Sequence, residues 1–137
     1  MSNDQKNIVG VFEDVDFPEL GLKGIKTKVD TGAYTGAIHC VEIYQEKSEH
    51  GNVLCFIPIS GDNQLQRFTK FKVLPVTSSN GLTEQRYAIN TTVVIRGESY
   101  PIRITLAHRE GMRFPVLIGR RFLRRNKLMV DVSQIKK

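Results

Sequence analysis

The chain has no tryptophan, only two cysteines and only three histidines in 137 residues, and each shortage removes a class of protein. Cys40 and Cys55 are too few for a disulfide-rich secreted scaffold, and they read as small buried apolar residues. With His39, His50 and His108 they complete the soft-ligand inventory. No pair among them has His-Glu-x-x-His or Cys-x-x-Cys spacing, and neighbours such as His39 and Cys40 point to opposite faces of a strand. No metal site is expected. A phosphate-binding Gly-x-x-x-x-Gly-Lys-Ser/Thr loop is missing as well, so neither ATP nor any other cofactor is expected. No apolar run approaches the ~20 residues of a membrane helix, and no membrane association is expected. The polar start, Met1-Ser2-Asn3-Asp4-Gln5-Lys6, leads into no apolar signal core, so a cytoplasmic location is expected.

Acidic residues are the other deficit. Fourteen Asp and Glu against twenty Lys and Arg leave a net charge of +6 and a pI near 9.5. The excess gathers late in the chain: Arg96, Arg103, Arg109, Arg113, Arg120, Arg121, Arg124, Arg125 and Lys127 face only Glu98 and Glu110. Such a run is either a solvated face or an attraction for an acidic partner. Among acidic partners, nucleic acid is not expected, because no aromatic-Gly-basic strand signature of single-strand readers is present.

What is present reads mostly as strands and turns. Gly24–Val29 alternates, with Ile25, Thr27 and Val29 on one face and Lys26 and Lys28 on the other. Further strands are expected at 8–12, 37–44, 53–59, 68–74, 114–118 and 128–132. A hairpin joins 87–95 to 100–106 through the turn Arg96-Gly97-Glu98-Ser99, with Pro101 suited to an edge. Arg120 to Asn126 predicts two turns of helix that carry Phe122 and Leu123 inward. No repeat, low-complexity tract or linker divides the chain, so one domain over 1–137 is expected.

The informative segment is Val29-Asp30-Thr31-Gly32-Ala33, an acid at the end of an apolar strand followed by a tight turn. Gly32 would let another backbone approach, and the Thr31 hydroxyl would bond a neighbouring turn. By itself Asp-Thr-Gly is also an ordinary strand-end turn. A second segment, Val116-Leu117-Ile118-Gly119, is an apolar strand that ends in glycine before the short helix.

Together the two segments resemble the active-site framework of retropepsins, single-lobe aspartic proteases in which an Asp-Thr-Gly loop is braced by a hydrophobic-hydrophobic-Gly strand end. A closer resemblance is to a bacterial retropepsin-like family labelled as ATP-dependent zinc proteases, associated with ATP-grasp enzymes that ligate glutamate onto ribosomal protein tails. It rests on Lys28–Ala33, on Thr35-Gly-Ala-Ile-His39, on Arg113–Leu123 and on Val130–Ser133. Tyr34 and Gly36 depart from it, standing where that family usually has Arg and Ser. The resemblance implies a mostly β, single-lobe acid-protease barrel with one short C-terminal helix. It implies Asp30 as the catalytic residue, Thr31, Gly32 and Ala33 as its loop, and Leu117, Ile118 and Gly119 as the support. Tyr34, Thr35, His39, Arg120 and Arg121 are candidate substrate or dimer contacts, with Arg120 expected to brace the loop and His39 to pack near it.

Aspartic proteolysis needs two carboxylates sharing a proton. This chain carries one Asp-Thr-Gly, so catalysis implies a homodimer that sets Asp30 against Asp30 of a second copy. Alanine at 33 offers no hydroxyl to hold the charged form, which implies activity nearer neutral pH. The flap that closes over substrate is expected at 77–83. The expected function is an aspartic peptidase acting on an acidic peptide or protein tail. The alternative is a non-catalytic dimeric β module that binds an acidic tail or RNA through its basic half.

Overall fold

The computed structural model describes residues 7–77, 80–108 and 113–134. Eleven strands occur among them: β1 (Ile8–Val9), β2 (Phe12–Phe17), β3 (Leu22–Val29), β4 (Gly36–Ser48), β5 (Gly51–Pro58), β6 (Gln66–Phe68), β7 (Lys72–Thr77), β8 (Thr83–Ile95), β9 (Glu98–Ala107), β10 (Val116–Ile118) and β11 (Met129–Val130). One α-helix, α1 (Arg120–Arg125), follows β10, and a 3-10 turn at Pro18–Leu20 separates β2 from β3. The mostly β fold with a single short C-terminal helix is as expected.

Hydrogen bonding runs β10–β3–β2–β8–β9–β4, and β4 pairs β10 again. The path therefore closes on itself through β10, whose three residues pair in parallel with β3 and antiparallel with β4. Beyond the ring, β4 continues into a long hairpin with β5 and then β6. Outside it, β1 and β11 form a parallel pair.

Burial follows the alternation. In β3, Thr27 and Val29 are buried and Lys26 and Lys28 exposed, as read from the sequence. The stretch Glu13-Asp14-Val15-Asp16 was not anticipated as a strand, yet β2 runs through it with Val15 and Phe17 inward. The largest fully buried side chains include Phe17, Phe56, Ile38, Leu54, Ile89, Ile104 and Leu106. Thr105, also fully buried, satisfies its hydroxyl by donating to the Gly36 carbonyl (2.8 Å), as a buried polar group must. Cys40 and Cys55 are unpaired and buried. Burial pushes the Cys40 thiol up to about 12, so it stays neutral and packs as an apolar residue.

Three expectations change. The strand expected at 8–12 divides, Ile8–Val9 pairing with Met129–Val130 while Phe12 begins β2. The strand expected at 68–74 is split, because Phe68 pairs with Leu54 while Lys72–Thr77 pairs with Thr83–Ala88. Each half serves a different neighbour. The turn expected at 96–99 is only two residues, Arg96 and Gly97, both left-handed (φ 51° and 81°), with Glu98 already paired to Ile95. That is the geometry whose twist matches a hairpin. Pro101 pairs Thr92 in a stretch of β9 that β4 does not reach, so its missing N–H leaves no ladder bond unmade there.

Candidate active site

β3 delivers Asp30, and β10 ends beside it. Thr27, Lys28 and Val29 pair with Val116, Leu117 and Ile118, and the Asp30 N–H extends the ladder by donating to the Ile118 carbonyl (2.8 Å). The chain then turns sharply. The Ala33 N–H donates to the Asp30 carbonyl (3.1 Å), and the Gly32 N–H donates to Asp30 Oδ1 (2.9 Å). Asp30 is half-buried, with one carboxylate oxygen held; Oδ2 has no hydrogen-bond partner among the described residues.

Leu117-Ile118-Gly119 is the support in a literal sense. A Cβ on Gly119 would stand 2.6 Å from the Tyr34 carbonyl oxygen and 2.8 Å from that of Ala33. On the other side, a Cβ on Gly36 would stand 2.5 Å from the Leu117 carbonyl oxygen. Close backbone approach was expected at Gly32, but it falls at these two glycines; a Cβ at Gly32 would meet only Asp30 Oδ1, at 3.2 Å. The Gly36 departure from the resembled family thus has a physical correlate here, since a serine Cβ would collide with β10.

The loop also caps the helix. The backbone N–H groups of Arg120 and Arg121, which have no partner within α1, donate to the carbonyls of Ala33 (2.8 Å) and Tyr34 (3.0 Å). The Arg120 guanidinium reaches back to the carbonyls of Thr31 (3.3 Å) and Gly32 (3.1 Å), and its carbon lies 5.4 Å from the Tyr34 ring centre. Arg120 braces the loop, and Tyr34 supplies the aromatic face against which it rests.

The other expected contacts divide. Thr35 is half-buried between Tyr34 and the start of β4, whereas Thr31 is exposed and its hydroxyl has no partner among the described residues. His39 does not sit by the loop. Its N–H donates to Pro115 and its carbonyl accepts from Ile59 (2.8 Å each), which puts it at the opposite end of β10. Arg121 is half-buried and lines a different groove from Arg120.

Asp30 borders an open groove of about 590 Å³. Lys28, Arg120 and Arg124 contribute positive charge to it, and Val11 and Leu128 contribute apolar wall. Lys28 and Arg124 were not singled out from the sequence, although Arg124 stands one helical turn from Arg120 and so shares its face. Among the described residues no three His, Cys, Asp or Glu side chains gather as a metal site, and no helix is long and apolar enough to cross a membrane.

Residues 8–136 match the family described as retropepsin-like aspartic endopeptidase RimB. The chain belongs to this RimB-like family. The resemblance drawn from the Asp30 and Leu117–Gly119 segments is thereby borne out. Proteins named probable alpha-L-glutamate ligase share 35% identity with this RimB-like chain. One, from Shewanella pealeana, aligns with 96% of it, and another, from Parasynechococcus marenigrum, with 85%. The RimB-like chain spans only 30% and 26% of those relatives' own lengths. A crystal structure of a Legionella pneumophila protein of unknown function superposes with a TM-score of 0.71, covering 92% of this chain and 93% of that one at 20% identity. That likeness carries the fold.

Proposed function

We propose that this chain is an aspartic endopeptidase that works as a homodimer, with Asp30 of each copy facing the other, on an acidic, glutamate-rich peptide or protein tail. The observation that carries the reading is the Asp30 loop itself. The residue is half-buried at the edge of a groove, one carboxylate oxygen is held by a backbone N–H and the other has no partner among the described residues. The exposed Thr31 beside it leaves that end of the loop accessible to a second copy.

In the dimer the two carboxylates hold one proton between them, because like charges at hydrogen-bond distance resist double ionisation. The ionised carboxylate takes a proton from water as its oxygen attacks the scissile carbonyl. The protonated one donates to the carbonyl oxygen, giving a neutral tetrahedral diol. Collapse of the diol breaks the C–N bond as the protonated carboxyl gives its proton to the leaving nitrogen and the ionised one takes a proton from a diol hydroxyl. The dyad ends with one proton, as it began. The β7–β8 hairpin pairs Lys72–Thr77 with Thr83–Ala88 and closes with a Thr77–Thr83 hydroxyl contact (2.8 Å). This hairpin is the proposed flap; Ser78 and Ser79 of the expected flap segment lie outside the described residues.

The acidic substrate is supported by Lys28, Arg120 and Arg124 around the groove, and by relatives whose name refers to glutamate ligation. Cleavage of a glutamate-rich peptide is expected to fall several-fold as salt rises, since screening shortens from about 10 Å at 0.1 M to about 3 Å at 1 M. A chelator is expected to leave it unchanged. Salt-independent cleavage would remove the electrostatic basis for the substrate, and binding without cleavage would favour a non-catalytic module.

A further inference from the structure

Helix α1 carries arginines into two grooves. Arg120 and Arg124 line the groove that Asp30 borders. Arg121 and Arg125, also one turn apart, line a separate groove of about 390 Å³ together with Arg103 of β9 and Asn90 of β8. Ile102 and Phe122, both buried, lie beneath. None of these three arginines has a carboxylate partner among the described residues, although Arg67, Arg86 and Arg96 each have one. Arg103 and Arg121 are half-buried, so their charge is less screened than that of a free surface arginine. Three unneutralised guanidinium groups around one concavity form a site for a multiply charged anion, because each can engage a carboxylate through two parallel N–H donors.

The spacing sets the length of a ligand that reaches both grooves. Six helical residues span about 9 Å, and the helix with its side chains is about 10 Å across. A small anion would reach one set of arginines only. An extended peptide covers that distance in about three or four residues at ~3.3 Å each. No aromatic side chain exposed in the second groove offers a stacking face for a nucleobase, since Phe122 is 6% exposed and packs edge-on against Tyr100 (5.7 Å).

We infer that Arg103, Arg121 and Arg125 form an exosite that holds carboxylates of an acidic chain beyond the segment lying at Asp30, with α1 as the divide between the two. The inference rests on the acidic-peptide reading above and adds a length requirement to it. A chain that reaches both grooves binds more tightly than one that fills the first alone.

The test uses Asp30→Asn protein, so that binding is read without cleavage. Labelled oligoglutamates of about two and about twelve residues are titrated into it; at ~3.3 Å per residue the shorter falls short of the ~10 Å divide and the longer exceeds it. The longer chain is expected to bind roughly tenfold or more tightly. Combining Arg103→Ala with Arg125→Ala is expected to collapse that advantage to near unity, and Arg-to-Lys changes at both positions to restore part of it. Should the double alanine variant melt early, Arg125→Glu, at an exposed position, is expected to reduce the same ratio. A length advantage unaffected by these changes overturns the exosite. So does an oligouridylate that outcompetes oligoglutamate and whose binding is the one lost with Arg103 and Arg125. Absence of cleavage by wild type, with the arginine-dependent length advantage intact, removes the peptidase reading and upholds the exosite.

Discussion

Replacing Asp30 by Asn is expected to lower peptide cleavage by roughly 10²–10⁴-fold, the range for removing a positioned acid–base group, or about 3–5 kcal/mol of barrier. The substitution is chosen for what it keeps. The Gly32 N–H donates to Asp30 Oδ1 at 2.9 Å, and the asparagine amide oxygen can accept the same bond. The backbone bond from residue 30 to the Ile118 carbonyl does not involve the side chain at all. The variant is therefore expected to melt within a few degrees of wild type. What it loses is the shared proton: two amides can neither take a proton from water nor return one to the leaving nitrogen. Cleavage assays with melting curves on both proteins decide the matter. Undiminished cleavage by a folded Asp30→Asn protein would take Asp30 out of the chemistry.

The second large effect concerns stability and comes from glycine. Gly36→Ala is expected to cost about 3 kcal/mol, the upper part of the overpacking range, because its Cβ would lie 2.5 Å from the Leu117 carbonyl oxygen. The obstacle is backbone within a paired strand, so it cannot rotate away as a flexible side chain would. Gly119→Ala meets two carbonyl oxygens, at 2.6 and 2.8 Å, and is expected to cost as much. Its damage reaches further. Those oxygens belong to Tyr34 and Ala33, which accept from the first N–H groups of α1, so displacing them loosens the Asp30 loop and the helix together. A melting temperature lower by roughly 10 °C is expected for each. The control is Gly61→Ala, where a Cβ meets nothing within 4 Å and which is expected to be near neutral. Equal melting curves for all three variants would show that the loop and β10 are not packed as described.

Those two glycines also mark where sequence reading stopped. The Asp30 loop was legible because an alternating strand runs straight into Asp-Thr-Gly. The support was legible because Leu117-Ile118-Gly119 ends one apolar run just before a segment with helical spacing of Phe122 and Leu123. Which glycine admits a close backbone was not legible, since that depends on segments more than eighty residues apart in the chain. The motif pointed to Gly32, whereas the contacts fall at Gly36 and Gly119. In β2, Glu13, Asp14 and Asp16 concealed a strand whose fully buried hydrophobic residues are Val15 and Phe17. Ring closure through three residues of β10 leaves no periodicity to find. The second groove was hidden for the same reason: Arg103 lies on a strand and Arg121 and Arg125 on a helix, and only the fold brings them together. Arg120 was the exception. As the residue directly after the supporting glycine, it was expected to brace the loop, and it does so through two carbonyls.

The most direct test of a shared Asp30 dyad is specific activity measured across protein concentration, with molecular mass determined on the same samples. A site built from two copies predicts specific activity that rises with the dimer fraction and vanishes on dilution to monomer. Activity per chain that stays constant while the mass is that of one copy would contradict it.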